Sequence, residues 1–160
     1  MKIMIVSDSH RDMENITKAI EREKPLDMII HCGDAEGTEG DISLIAECPI
    51  YAVSGNNDFF TRLSKELEFE IAGRKAMLCH GHYYYVSMGP QRLIEEGLMR
   101  GVDFVFFGHT HRPMVEKVEN MYVINPGSIA YPRQEGRKKS YAIMNIDKKD
   151  EISVEIMFMN

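Results

Sequence analysis

Five times this chain runs apolar for about four residues and then stops at side chains able to bind a metal ion. The runs are Ile3 to Val6, Met28 to Ile30, Ile50 to Val53, Ala76 to Leu78 and Phe104 to Phe107. The stops are Ser7-Asp8-Ser9-His10, Gly33-Asp34, Gly55-Asn56-Asn57-Asp58, His80-Gly81-His82 and Gly108-His109-Thr110-His111. Each run has the length of a buried strand, so each donor cluster falls at a strand's C-terminal end, where open α/β sheets place their ligand crevice. Five of the six histidines lie in these clusters and only His31 lies inside a run, whereas chance would scatter them over helices and loops.

The segments between the runs fit that reading. Met13, Ile16, Thr17 and Ile20 repeat at helical spacing behind Asp12 as N-cap, which predicts a helix to about Glu23, stopped by Pro25. A short helix over Asp41 to Ala46 completes a βαβαβ opening, the pattern of parallel strands with right-handed crossovers. Phe69 to Ile71 and Lys75 to Leu78 flank Gly73 as a hairpin would. Pro90 opens a helix that turns Leu93, Ile94, Gly97 and Leu98 to one side. Beyond residue 111, Met114 to Val118, Tyr122 to Ile124, Tyr141 to Ile146 and Ile152 to Phe158 read as strands without intervening helices, and these should pair antiparallel. Parallel strands with helices followed by a meander predict two sheets packed face to face, helices outside.

A chain of 160 residues that is 44% hydrophobic can bury one good core, so residues 1–160 are expected to form a single domain. The net charge is −6 and no basic run exceeds Arg137-Lys138-Lys139, which disfavours a groove for long nucleic acid. The first strand is too short for a signal-peptide core and no apolar stretch approaches the ~20 residues of a membrane span. The expectation is a soluble cytoplasmic protein without membrane contact; a homodimer or higher homo-oligomer is left open. Cys32, Cys48 and Cys79 lack CxxC spacing and read as reduced core thiols. The twelve methionines read as packing.

Asp8 and His10 are two residues apart, as are His109 and His111, so in extended backbone each pair projects to one side. Asp34 can bridge two cations through its two oxygens, and Asn56 offers a neutral carbonyl oxygen. Carboxylate, imidazole and amide donors together suit Mn, Fe, Co, Ni or Zn better than Ca. Asp8, His10, Asp34, Asn56, His80, His109 and His111 are too many donors for one tetrahedral ion, whereas two ions sharing Asp34 use them all. Two divalent ions, two carboxylates and a bridging hydroxide leave a single positive charge, which matches a phosphodiester anion. A two-metal site ~3.5–4 Å across clamps the attacking and leaving oxygens of an in-line displacement.

The ordered series DSH, GD, GNND, HGH and GHTH, with Asn125-Pro126-Gly127-Ser128 downstream, resembles the calcineurin-like metallophosphoesterase superfamily, and within it the small single-domain bacterial and archaeal phosphodiesterases. The similarity spans Met1 to about Arg133. It implies a four-layer αββα sandwich of two mixed sheets. It also implies that Asp8, His10, Asp34 and His111 hold one divalent ion and Asp34, Asn56, His80 and His109 the other, manganese being the first expectation. The reaction implied is hydrolysis of a small phosphodiester by in-line attack of a metal-bridging hydroxide.

One departure has chemical weight. Many relatives carry histidine after the ligand asparagine, as a proposed general acid, and here Asn57 stands there. An amide has no titrating proton to give, so protonation of the leaving oxygen falls to water, to His82, or to nothing. Asp58 is expected to orient its neighbours. His82 either contacts phosphate or is buried by the loop of Tyr83, Tyr84 and Tyr85, tyrosines that either stack on a substrate or pack. Arg133 either grips phosphate or stays solvated, Asn56 would face substrate as well as metal, and Asn125 to Ser128 is a tight turn with Gly127 free to take positive φ. The alternatives to a phosphodiesterase are a phosphomonoesterase, a cyclic-nucleotide phosphodiesterase, or a metal-binding protein scaffold such as the retromer subunit of this superfamily. A DNA nuclease ranks last.

Overall fold

The computed structural model describes residues 1–159. Ten strands and three helices follow one another as β1 (Lys2–Val6), α1 (Met13–Glu23), β2 (Met28–His31), α2 (Glu39–Ala46), β3 (Ile50–Ala52), β4 (Glu66–Ile71), β5 (Arg74–Cys79), α3 (Gln91–Arg100), β6 (Phe104–Phe106), β7 (Pro113–Val118), β8 (Met121–Pro126), β9 (Ser140–Ile146) and β10 (Ile152–Phe158). They make two five-stranded sheets, ordered β10-β9-β1-β2-β3 and β4-β5-β6-β8-β7. Both sheets are mixed. β1, β2 and β3 run parallel in the first, with β9 and β10 antiparallel at its edge. β5, β6 and β8 run parallel in the second, between antiparallel β4 and β7.

The expected division into a parallel first half and an antiparallel second half is therefore corrected. The parallel strands are shared between two sheets, and β8 extends the parallel set through β6. The cause lies between β3 and β5. A parallel return to the same sheet needs a crossover, usually helical, and residues 53–65 contain no helix, so the chain starts a new sheet with the β4–β5 hairpin.

Strand alternation assigns the layers. Ile3, Ile5, Met28 and Ile30 of the first sheet meet Ala76, Leu78, Phe104 and Phe106 of the second in one buried cluster. The opposite faces bury Met4, Val6 and Ile29 under Ile16, Ala19, Ile20 and Ile42 of α1 and α2, and Met77, Val105 and Val123 under Leu93 of α3. This is the expected αββα sandwich. α1 begins at Asp12, whose side chain accepts the Asn15 N–H at 3.2 Å. α3 buries Leu93 and Gly97 but leaves Leu98 37% exposed, so its apolar face is narrower than expected.

α1 is also fastened by a buried polar cluster. Tyr141, fully buried on β9, donates its hydroxyl to Glu23 at 2.7 Å, and Lys2 Nζ lies 2.9 Å from the other Glu23 oxygen. Burial works to raise the Glu23 carboxyl, but the Lys2 and Tyr141 donors outweigh it and hold it below the usual carboxylate range. Tyr141→Phe leaves that oxygen without its donor and should cost about 1–3 kcal/mol. Because the Glu23 pKa is depressed on folding, this stabilisation is full above its unfolded value and is lost as pH falls through the folded one. The gap in Tm between wild type and Tyr141→Phe should thus narrow on acidification. An equal gap at pH 7 and pH 3 would refute this account.

Candidate metal centre

All five donor clusters meet at one end of the sandwich. Those after β1, β2 and β3 come from one sheet, and those after β5 and β6 from the other, so the site straddles the apolar seam between them. The backbone there is bent. Asp8 (φ 52°), His10 (42°), Asp34 (58°), His109 (66°) and His111 (56°) all occupy the left-handed region, which is uncommon outside glycine and clusters at functional sites. Asp8 and His10 therefore converge through left-handed turns. The expected extended geometry is overturned at both i, i+2 pairs, because each follows immediately on a strand that has ended.

The seven proposed donors come together. Ligand atoms of Asp8, His10 and His111 lie within 4.8 Å of one another, as do those of Asp8, Asp34 and His80. Asp34 Oδ2 is central, 3.5 Å from His80 Nε2 and 3.9 Å from His10 Nε2. Asn56 Oδ1 is 3.0 Å from both His80 Nε2 and His109 Nδ1. Asp8 Oδ1 is 3.0 Å from His111 Nε2.

The outward ring nitrogens explain what these contacts can do. His80 Nδ1 is 2.7 Å from the Cys32 carbonyl, His111 Nδ1 2.6 Å from the Tyr131 carbonyl and His10 Nδ1 2.7 Å from Glu36 Oε1. A nitrogen facing such an oxygen carries the proton, so in each neutral ring Nε2 presents a bare lone pair to the centre. Those lone pairs face the oxygens of Asp8, Asp34 and Asn56, and Asp8 Oδ1 and His10 Nε2 are buried without a hydrogen-bond partner. Acceptors aimed at acceptors are the arrangement that a cation satisfies, and the oxygen behind each imidazole is the partner that fixes a metal-binding tautomer. The residues present therefore fit divalent metal ions.

Electrostatics agree at His109 and His82; at His111 burial works to lower the imidazole, but Asp8 outweighs it and raises it, so a proton there stands where the cation would. Burial, then His80, holds His109 and His82 below the usual imidazole value, which keeps both neutral. Burial would raise the Asp8 carboxyl, but His111, His80 and Ser7 outweigh it and hold it low. The Cys32 and Cys79 thiols are pushed up by burial, as suits core thiols rather than ligands. Metal binding to the native state alone should add ~2.7 kcal/mol at a free concentration 100 times the dissociation constant. Melting in EDTA and in Mn²⁺ measures this, and equal midpoints would count against the centre.

Behind the donors lies a set of hydrogen bonds that holds their loops in place. Asp58 takes the N–H groups of Asp34 (2.7 Å), Glu36 (2.6 Å) and Gly55 (2.7 Å), so it ties the loops after β2 and β3 together. Asn57 donates its backbone N–H to Asp34 Oδ1 at 2.8 Å and its side-chain Nδ2 to Asp34 Oδ2 at 2.7 Å. Asn125 donates to Gly108 O and Thr110 Oγ1, and Ser128 donates to Asp8 O, which braces two ligand loops from the tight turn at Gly127 (φ 78°). His31 accepts the Gly33 N–H at Nδ1, so its Nε2 donates to Ser9, and burial drives its pKa down to about 4. Two glycines allow the close approach. A Cβ on Gly55 would sit 2.1 Å from Asp34 Oδ1, and one on Gly108 would sit 1.9 Å from Ser7 Oγ.

The remaining expected residues lie around this centre. His82 lies beside it, edge-on to His80 with ring centroids 5.3 Å apart and tilted against His109 at 5.9 Å, with Nδ1 unpartnered. Arg133 is anchored by its N–H to the His111 carbonyl at 3.0 Å, while its exposed side chain lines a cleft beside Thr110. Tyr83 and Tyr85 are more than half exposed and lie under Lys65 and Arg92, whereas Tyr84 donates to Glu66. Sequence reasoning missed Glu36 behind His10, and missed the carbonyls of Cys32 and Tyr131. Glu36 lies two residues after Asp34 and gave a weak positional signal; a backbone carbonyl gives none.

A sandwich of two mixed sheets whose strand ends from both sheets gather carboxylate, imidazole and amide donors defines the metallophosphoesterase class. The chain matches the calcineurin-like phosphoesterase superfamily domain over residues 1–149 and belongs to that family. It is 34% identical over 150 residues to the probable metallophosphoesterase YsnB of Bacillus subtilis, covering 92% of this chain and 85% of that protein. Among solved structures it is similar to a novel archaeal phosphodiesterase, with TM-score 0.75 and 29% identity over 98% of this chain and all of the other. It shares its fold with a variant of Vps29 from Entamoeba histolytica, with TM-score 0.78 and 20% identity over the whole of both chains. No helix among the described residues is long and apolar enough to cross a membrane.

Proposed function

We propose that this protein is a metal-dependent phosphodiesterase of small phosphodiesters, with Asp8, His10, Asp34 and His111 holding one divalent ion and Asp34, Asn56, His80 and His109 the other. The observation that carries this reading is the set of imidazole lone pairs turned toward acceptor oxygens at one buried point. The family supports a phosphoesterase, and the similar archaeal protein is described as a phosphodiesterase. Manganese is the ion proposed, with Ni, Fe, Co and Zn able to use the same donors.

When bound, a metal pair supplies an activated water as nucleophile and neutralises charge on the leaving oxygen. The chain's own residues do the rest. Asn57 holds both oxygens of Asp34, which fixes the shared carboxylate. Asp58 cannot attack phosphorus while its oxygens accept three backbone N–H groups, so it positions the loops. His82, neutral at the rim, is the one titrating side chain placed to pass a proton beside His80 and His109. Arg133, on the cleft beside Thr110, is placed to bind a phosphate of the substrate.

The test is release of nitrophenol from bis(p-nitrophenyl) phosphate by the purified protein with Mn²⁺, after EDTA, and after Mn²⁺ is restored. Activity that disappears and returns supports the reading; no turnover with any of the five metals refutes it. A scaffold role is supported by fold likeness alone, and all seven donors are present.

A further inference from the structure

Two of the clefts beside the centre differ in charge. One, of about 600 Å³, is lined by Arg11 and Arg62 but also by Glu36, Glu39 and Asp58, with Arg11 Nε 3.8 Å from Glu36. The other, of about 550 Å³, is lined by Arg112 and Arg133 with Thr110, Asn125, Phe107 and Met88, and its described lining holds no acidic side chain. Among the described residues the arginines in ion pairs are Arg11, Arg22 and Arg100, so Arg112 and Arg133 are unspent. Arg62, Arg74, Arg92 and Arg137 are likewise outside ion pairs, so what sets Arg112 and Arg133 apart is that they share one cleft whose described lining carries no acid.

The pair is also rooted in the ligand loop. Arg112 N–H donates to Thr110 Oγ1 at 3.2 Å, Thr110 Oγ1 accepts from Asn125 at 3.1 Å, and Arg133 N–H donates to the carbonyl of His111 at 3.0 Å. Both guanidinium groups thus start from backbone tied to the turn that carries His111. A guanidinium fork matches phosphate oxygens, and Phe107 and Met88 give the same cleft an apolar wall.

Resting on the phosphodiesterase reading, we infer that the Arg112–Arg133 cleft is the subsite for a second phosphate on the substrate. The preferred substrates are then small phosphodiesters in which one ester arm is itself phosphorylated and carries an apolar or aromatic body, as in a phosphorylated nucleotide ester. The diester phosphorus sits at the metal centre, and the second phosphate, not cleaved, lies against the two arginines. This goes beyond a general grip on the scissile group, because it predicts discrimination between diesters that the centre alone treats alike.

The experiment compares three p-nitrophenyl diesters with Mn²⁺: bis(p-nitrophenyl) phosphate, the thymidine 5′-(p-nitrophenyl phosphate) with a free 3′-hydroxyl, and the same ester with a 3′-phosphate. The two thymidine esters differ only in the second phosphate. Wild type should favour the 3′-phosphorylated ester in kcat/KM by roughly tenfold, the scale of one charge-assisted hydrogen bond at a partly exposed site. In Arg112→Ala/Arg133→Ala the ratio should fall to about one, mainly through KM. The ratio is the readout, so a general loss of binding does not mimic the result, and melting checks that the double variant folds. Equal rates on the two thymidine esters in wild type, or a preference that survives the double substitution, overturns the subsite while leaving the phosphodiesterase reading intact. No hydrolysis of any of the three with any of the five metals overturns both.

Discussion

Asp34→Asn is expected to lower kcat/KM for bis(p-nitrophenyl) phosphate by about 10³-fold or more, the scale that follows removal of a main electrostatic element of a site. Asp34 lies between the two donor groups, 3.5 Å from His80 and 3.9 Å from His10, alongside Asp8, whose Oδ1 is 3.0 Å from His111 and 3.8 Å from His80. An asparagine of the same shape offers one neutral oxygen where a carboxylate offers two charged ones. Its amide would also meet the donors of Asn57, which now point at Asp34 Oδ1 and Oδ2. Asn56→Ala removes a neutral ligand from one group only and should cost less. Elemental analysis supplies a second readout: bound metal should fall from two ions toward one in Asp34→Asn. Retention of two ions with near wild-type turnover would remove Asp34 from the shared position.

The second large effect concerns the leaving group. General acid catalysis is typically worth ~10²–10⁴-fold, and Asn57 cannot supply it: an amide has no titrating proton, and its side chain is held on Asp34. The departing oxygen then carries most of its developing charge, so rates across substituted phenyl diesters should fall steeply as leaving-group pKa rises, and alkyl esters should be poor substrates. A monoester would bring a further negative charge to the proposed two-ion centre, whose excess would be only one, and this should favour diesters. Asn57→His should flatten the dependence on leaving-group pKa. A flat series in the wild type would mean that another donor serves, and His82→Ala would then expose the dependence. If neither variant nor wild type shows one, bond cleavage does not limit turnover and this role for Asn57 has no support.

Much of the site was legible because strand ends are local facts. The run Ile3 to Val6 fixes where β1 stops, and Asp8 and His10 follow without any knowledge of the partner sheet. The sandwich was legible from alternation, since Ile3 and Ile5 face one core while Met4 and Val6 face another. Which sheet each parallel strand would join was not, because that depends on what the chain does between residues 53 and 65, a stretch with no periodicity to read. The left-handed turns at Asp8, His10, Asp34, His109 and His111 were also hidden. Asp and His tolerate that region better than most residues, but their presence does not demand it; the turns are held by hydrogen bonds that Ser128 and Asn125 donate and Asp58 accepts. Glu36 escaped for the same reason, since its role exists only once His10 is beside it.

The seam beneath the site carries a consequence of its own. Strand hydrogen bonds run only within each sheet, and packed sheets stand ~10 Å apart, so the gap between the donors of β1 to β3 and those of β5 and β6 is gauged by the side chains between them. Ile5, Ile30, Leu78 and Phe106 act as the shims of a calliper whose jaws are the two halves of the centre. Exchanging one shim for a side chain a methylene longer or shorter would reset the jaw opening without touching a ligand. Selection can in this way retune which ion the centre prefers from inside the hydrophobic core.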